Sequence, residues 1–385
     1  MKIIDETLSK VKELSKAKRK FLSEIIKTIL LLQGKTNFRN LSRYCNYHEK
    51  SISRNFKTID KSNFKEINKE LLIDLAEKET ILAVDCSFIK KSGNLTFGKG
   101  KFFNSKSGKA EEGLEVSTLA LIDVVDNSAY TIDIRQTPSS NNRVDFYSKQ
   151  VKDVKDIFPS IKYVVGDGYY TKINFINEVI DSNRDFIGKL RKDADLKYYY
   201  QGEKTGLKGA PKKYDGKVDL SNPNFDYVKD LDNGYKLYSK IVYNVRLKKK
   251  IKIVYVTNGK IKNLYFSTDD KLCPEKIYKY YQSRFQIEFL FRDAKNHLGL
   301  EDCMSLEEKA LDIHFNICMS SLNFAKVEDK MNRTERKPFS IISYKRRLYN
   351  EKLMKLFLYK LDINSDFVIN KNEYLDLLNY GAISF

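Results

Sequence analysis

Apolar residues recur at three- and four-residue steps through residues 1–76. In "FLSEIIKTILLL" Phe21, Ile25, Ile29 and Leu32 fall at helical spacing, and no strand-like alternation appears. The spacing predicts a helical N-terminal segment. Within it, "NFRNLSRYCNYHEKSISRNFKTI" (37–59) predicts two short helices around a turn near Asn46. The second would carry His48, Lys50, Ser51, Ser53, Arg54 and Lys57 outward, as the recognition helix of a helix-turn-helix does. A helical cap packed on the main domain is the alternative. From residue 79 the pattern changes. "TILAVDCSFI" (80–89), "LEVSTLALIDVV" (114–125) and "AYTIDIRQT" (129–137) predict three strands rich in β-branched residues, the last two joined by "DNS". A helix over 144–158, a buried strand over 162–167, a Thr-capped helix over 171–182 and a strand over 185–190 follow, giving the order βββαβαβ.

The helix that should close this unit is delayed. Residues 191–265 are rich in lysine and tyrosine, with "KTGLKGAPKKYDGK" as a loop and "YKLYSKIVYNVRL", "KIKIVYV" and "NLYF" as strands. A helix is then expected over 274–297, with Pro274 in its first turn and Gly299 beyond its end. Its centre reads "YQSRFQIEFLFRDAK". At about 100° per residue, Tyr281, Arg284, Glu288 and Lys295 share a stripe roughly 60° wide, with Arg292 near the same face and Asp293 pointing away. An ordinary i, i+4 pair of Arg284 with Glu288 on a solvated face would produce the same stripe. Helical patterning returns after residue 300, in "EEKALDIHFNICMSSLNFAKV" and "RRLYNEKLMKLFLYKL".

Charge changes the picture. Lys+Arg 70 against Asp+Glu 51 leaves a net charge of +19, which favours a polyanionic partner such as nucleic acid. The five cysteines contain no C-x-x-C pair, and His48, His297 and His314 form no ligand cluster with them, which argues against a disulfide framework or a zinc site. A glycine-rich phosphate loop with the G-x-x-x-x-G-K-[ST] pattern is missing, so nucleotide hydrolysis has no support. The first residues lack an apolar signal core, and "IIKTILLLQ" is short and interrupted by Lys27, so a soluble, cytoplasmic protein is expected, with no membrane partner.

Two acids stand inside apolar runs: Asp85 in "ILAVDCSFI" and Asp167 at the end of "YVVGDG". A buried carboxylate is costly unless paired or metal-bound, and a divalent ion with oxygen ligands is one way to keep it. Turn chemistry could explain either acid singly. With Glu288 they form an acid on the first strand, one after the fourth and one on the helix after the fifth.

This arrangement resembles the DDE-type insertion-sequence transposases, which have an RNase H-like catalytic core. More narrowly, it is similar to the insertion sequence four group, whose signature is Y-x2-R-x3-E-x6-K. Tyr281, Arg284, Glu288 and Lys295 meet that spacing, while "ILAVDCSFIK" and "VVGDGYY" resemble the segments of the two aspartates. The resemblance spans about 79–325 and includes "HLGLEDC" and "HFNICMSSLN". It implies an α/β fold: an RNase H-like mixed sheet flanked by helices, with a β-rich insertion before the last catalytic helix and an N-terminal helical domain. The divisions expected are a helical DNA-binding domain over 1–76, the first part of the core over 77–190, the insertion over 191–268, the closing helices over 269–328 and a C-terminal helical region over 329–385.

The resemblance further implies that Asp85, Asp167 and Glu288 are catalytic and bind two Mg2+ ions, with Mn2+ as a substitute. Tyr281, Arg284 and Lys295 would hold phosphates of the transposon end. Arg292, Lys212 and Lys213 of the insertion, and Arg54 of the N-terminal domain are further DNA-binding candidates. The partners implied are double-stranded DNA, as terminal inverted repeats and as target, and a second copy of the chain in a homodimer. The function implied is cut-and-paste transposition in a bacterial, nucleoid-associated setting. A metal-dependent nuclease or resolvase, or a catalytically dead DNA-binding regulator, are the alternatives. The chain has no Trp, so any base stacking would fall to its Tyr or Phe residues.

Overall fold

The computed structural model describes residues 1–139, 143–203, 211–333, 338–363 and 372–383. The N-terminal part is helical as expected, comprising α1 (Lys2–Lys10), α2 (Lys16–Leu31), α3 (Phe38–Leu41), α4 (Glu49–Thr58) and α5 (Ser62–Ala76). Phe21, Ile25 and Ile29 are fully buried, which is what their spacing on α2 requires.

The sheet begins with β1 (Thr80–Lys90), β2 (Gly100–Asn104), β3 (Lys109–Asp123) and β4 (Ser128–Gln136). The sequence pattern contained β1, β3 and β4 but not β2. The two apolar residues of β2, Phe102 and Phe103, are adjacent and give no alternation; one is buried and the other exposed. α6 (Arg143–Lys152), β5 (Tyr163–Val165), α7 (Ile173–Asp181) and β6 (Asp185–Lys189) follow. Thr171 does not cap α7: its hydroxyl donates to the Lys189 carbonyl at 3.1 Å, and the helix starts at Ile173. β1 pairs antiparallel with β3 and β3 with β4, while β5 lies parallel to β1 and β6 parallel to β5. The core order β4-β3-β1-β5-β6 is the RNase H-like mixed sheet expected from the sequence.

The stretch after β6 forms β7 (Leu196–Tyr199), β8 (Tyr214–Lys217), β9 (Asp226–Leu231), β10 (Tyr235–Asn244), β11 (Lys249–Thr257) and β12 (Lys262–Ser267). β12 pairs antiparallel with β6, so these strands extend the core into one 12-stranded sheet. The first seven residues of the expected loop, 204–210, lie outside the described residues, and its far end is β8.

The chain closes with α8 (Pro274–Ser283), α9 (Gln286–His297), α10 (Glu308–Asn332), α11 (Ile341–Lys360) and α12 (Asn372–Asn379). α10 is buried on all sides from Ala310 to Val327. Its polar residues satisfy the free edge of β4. Asn316 donates to the Ile134 carbonyl, Asn323 bridges the N–H and carbonyl of Thr131, and Lys326 donates to Ala129. Asn68 of α5 donates to Ile132 and accepts from Asn323 and Ser320, which joins the N-terminal helices to this edge. An edge strand covered in this way is shielded from templating other chains. Among the described residues no helix is long and apolar enough to cross a membrane.

Candidate active site

Asp85 is at the centre of β1, opposite Thr118 of β3. Asp167 follows the end of β5, where its carboxylate accepts from the Tyr169 N–H at 2.8 Å and so shapes the turn after the strand. Gly166 packs closely there: a Cβ would lie 3.0 Å from Tyr170 Cβ and 3.2 Å from the Phe186 ring. Tyr170 in turn places its hydroxyl 3.1 Å from Cys86 Sγ, linking the Asp167 turn to the residue beside Asp85.

The expected single helix over 274–297 is two helices. α8 starts at Pro274 as anticipated and ends at Ser283; α9 begins at Gln286. At the break, Ile287 and Glu288 donate to the carbonyls of Arg284 and Phe285, bonds of three-residue rather than four-residue span. Glu288 therefore sits in the first turn of α9, where the helix dipole favours a carboxylate. Gly299 adopts φ +70 just past α9, the left-handed stop its position predicted.

Arg284, at the break, binds two of the acids. Its Nη1 is 3.1 Å from Asp85 Oδ2 and its Nη2 is 3.2 Å from Glu288 Oε1. The i, i+4 pair anticipated from the sequence is thus present, with Asp85 added from a strand 199 residues away. Asp85 feels all of these groups. Burial pushes its carboxyl up to about 6; Arg284 and the Cys86 N–H pull it down, and the charges of Asp167 and Glu288 push it up again. Asp167 and Glu288, from two other segments, therefore lie within electrostatic reach of Asp85, with a guanidinium between Asp85 and Glu288.

Tyr281 packs its ring on Tyr265 of β12, centroids 4.5 Å apart, and Arg284 lies 5.8 Å from its centre. Burial raises its hydroxyl pKa. Lys295 is turned inward: its Nζ donates to the Phe88 carbonyl of β1 and lies 3.1 Å from Glu301, and burial lowers its pKa. It fastens α9 to β1. Arg292 is directed elsewhere, paired with Asp293 at 3.0 Å and stacked over Phe289. Lys212 pairs with Asp215 at 2.9 Å and covers the Tyr200 ring, while Lys213 beside it is exposed. Arg54 is exposed on α4, far along the chain from the acids.

Of the outward set expected on α4, Lys57 is engaged with Glu307 and His48 caps the helix by accepting from the Lys50 N–H. Arg39 and Arg43, around the short α3, stand exposed together with Lys50 and Arg54. Arg39 and Arg43 line a cleft of about 360 Å³ with Lys35 and Asn40. The sequence reading missed both arginines because α3 is one turn long and gives no periodic signal. It also missed Tyr265 and Glu301, which reach the site only through folding.

A divalent ion was expected here. Among the described residues no three His, Cys, Asp or Glu side chains converge closely enough to enclose one as they stand. The donor set nevertheless suits it: three carboxylates, all hard oxygen ligands, with Asp85 half-buried and already paired with a counter-charge. Arg284 supplies that charge between Asp85 and Glu288.

The fold is a mixed sheet flanked by helices that brings Asp167 and Glu288 toward Asp85. Residues 76–324 match the profile of the transposase DDE domain, and the chain belongs to that family. Members of this family are DNA-cleaving enzymes that use divalent metal ions. Among solved structures, the chain is similar to a piggyBac transposase synaptic complex with hairpin DNA, at 12% identity and a TM-score of 0.43, over 100% of this chain and 82% of that one. No curated protein sequence matches.

Proposed function

We propose that this chain is a cut-and-paste DNA transposase that cleaves strands at transposon ends and transfers them to target DNA. The observation that supports the reading is the ion-paired bridge of Arg284 to both Asp85 and Glu288, with Asp167 in electrostatic reach of Asp85, because these acids come from the three segments that resemble the family's.

In this reading Asp85, Asp167 and Glu288 hold two Mg2+ or Mn2+ ions. When bound, such ions stabilise the attacking and leaving oxygens of an in-line phosphoryl displacement. The chain's own groups do the rest. Tyr281 offers a hydroxyl, and Arg284 a planar fork suited to two oxygens of one phosphate. Lys295 fixes α9 against β1 and so holds Glu288 at a constant distance from Asp85. Lys212 and Lys213 track the DNA backbone along the extended sheet. Arg39, Arg43, Lys50 and Arg54 grip phosphates of the terminal repeat at a second place. A second copy of the chain completes the active complex. That part is supported by the exposed apolar side chains Leu353 and Phe357 of α11 and Leu375 of α12.

The test uses one labelled transposon end, with gel shift for binding and nicking for chemistry. Asp85→Ala, Asp167→Ala and Glu288→Ala should each lose strand cleavage by at least about 10³-fold while binding the end nearly as wild type. A variant that nicks at close to the wild-type rate removes its residue from the triad.

A further inference from the structure

Thr118 of β3 pairs with Asp85 of β1. Paired residues of neighbouring strands project to the same side, with Cβ atoms about 4.5–5.5 Å apart, so the Thr118 side chain shares the face on which Arg284 meets Asp85. Thr118 is fully buried, and its hydroxyl has no hydrogen-bond partner among the described residues. Arg284 Nε is likewise unpartnered there, although the other two nitrogens of that guanidinium bind Asp85 and Glu288. The surroundings of Asp85 thus hold polar groups that the protein's own contacts do not use.

Packing does not explain a threonine at this position. Valine has the same branched shape and the same preference for a strand, and it buries no polar atom. A hydroxyl kept out of water without a partner costs stability, so threonine is the poorer choice unless its oxygen is used in another arrangement. Thr131 of β4 has a buried, unpartnered hydroxyl too, but it pairs with Ala120 rather than with an acid.

Asp85 has room for a further donor. Its Oδ1 accepts from the Cys86 N–H at 2.8 Å and its Oδ2 from Arg284 at 3.1 Å, whereas an ionised carboxylate offers about four lone-pair sites. One of these can go to a divalent ion and another still be free for a hydroxyl. A step between staggered χ1 positions redirects the Thr118 oxygen without moving the backbone. Carboxylates that bind metal are commonly held in orientation by such hydrogen bonds, and losing one typically weakens metal binding about 10–100-fold.

We propose that Thr118 is a positioning residue for Asp85, whose carboxylate accepts the Thr118 hydroxyl and is thereby held in the orientation that binds a divalent ion. The role deepens the transposase reading, on which the ion itself rests.

Mn2+ binding to the full chain, followed by electron paramagnetic resonance with and without a precleaved end duplex, tests the role apart from turnover. Thr118→Val should bind Mn2+ about tenfold or more weakly, while Thr118→Ser, which keeps the hydroxyl, should stay within about twofold of wild type. Thr131→Val, which removes an unpartnered hydroxyl that faces no acid, should bind as wild type. In EDTA, Thr118→Val should melt about 1–3 °C higher than wild type, because an unused buried polar group has been removed. Mn2+ affinity unchanged in Thr118→Val, an equal loss in Thr118→Ser or Thr131→Val, or a lower melting temperature of Thr118→Val in EDTA would each overturn the role alone. A wild-type chain that binds no Mn2+ with or without DNA would overturn the ion and the role together. Failure of the transposase reading is seen separately, as cleavage retained by the acid variants.

Discussion

The two cation-bearing regions of this chain handle charge in opposite ways. At the break between α8 and α9, Arg284 is half-buried and paired with Asp85 and Glu288, and Lys295 is tied to a strand carbonyl and Glu301. Around α3 and α4, Arg39, Arg43, Lys50 and Arg54 stand in solvent. A buried, paired cation is fixed in geometry, and removing it strands an acid out of water. An exposed cation is cheap to keep and free to meet a phosphate, with a strength that salt screens. The difference separates a place for chemistry from a place for grip, although both consist of the same residue types.

The comparison breaks first at Arg284. Arg284→Lys keeps the charge but loses the fork that spans Asp85 and Glu288, so single-turnover cleavage should fall about 10²-fold with end binding nearly unchanged. Equal losses of binding and cleavage would make this arginine a gripping residue like those of α4. Added Mg2+ or Mn2+ should not rescue it.

On the exposed side, replacing Arg39, Arg43, Lys50 and Arg54 together by Gln should weaken end binding about tenfold or more. The slope of log affinity against log salt should become shallower by up to ~0.9 for each phosphate that the protein no longer neutralises. Cleavage of bound DNA should persist. An unchanged slope would return α3 and α4 to the role of a helical cap.

Asp85 sharpens the contrast through stability. Its carboxyl titrates at about 6 in the fold, above the ordinary 3.8, so the fold favours its protonated form. That advantage is full below about pH 4 and is lost as pH rises to about 6. Asp85→Asn cannot ionise. In EDTA at pH 8 it should therefore be about 1–2 kcal/mol more stable than wild type, a figure reduced from the full shift because the side chain retains some solvent. The gain should vanish toward pH 4. Urea unfolding at both pH values measures it, and a destabilised Asp85→Asn at pH 8 would mean that the Arg284 pair outweighs burial.

The smallest effect lies in the insertion. Lys212→Glu/Lys213→Glu should weaken end binding roughly threefold to tenfold and flatten its salt dependence. Lys212 is already paired with Asp215, so Lys213 should account for most of the change. Single substitutions read by the same gel shift divide the two.

The sequence by itself marked most of the strands and helices in their order and singled out Asp85, Asp167 and Glu288 as candidates, because strand and helix patterns and a carboxylate in an apolar run are local signals. It also marked the start of α8 at Pro274 and the stop at Gly299, where backbone geometry depends on one residue. What only the tertiary structure decided involves pairs distant in sequence. The wheel that put Tyr281, Arg284, Glu288, Arg292 and Lys295 on one stripe assumed an unbroken helix. The break at 284–285 and the pull of Asp85 on Arg284 replaced that stripe with a junction, turning Lys295 inward to Phe88 and leaving Arg292 with Asp293. The insertion looked like a separate β unit because its strands are local hairpins, yet β12 pairs with β6 and makes the sheet continuous. A hydrogen-bonded edge is satisfied by whichever strand reaches it, and no periodicity within either strand records which one that is.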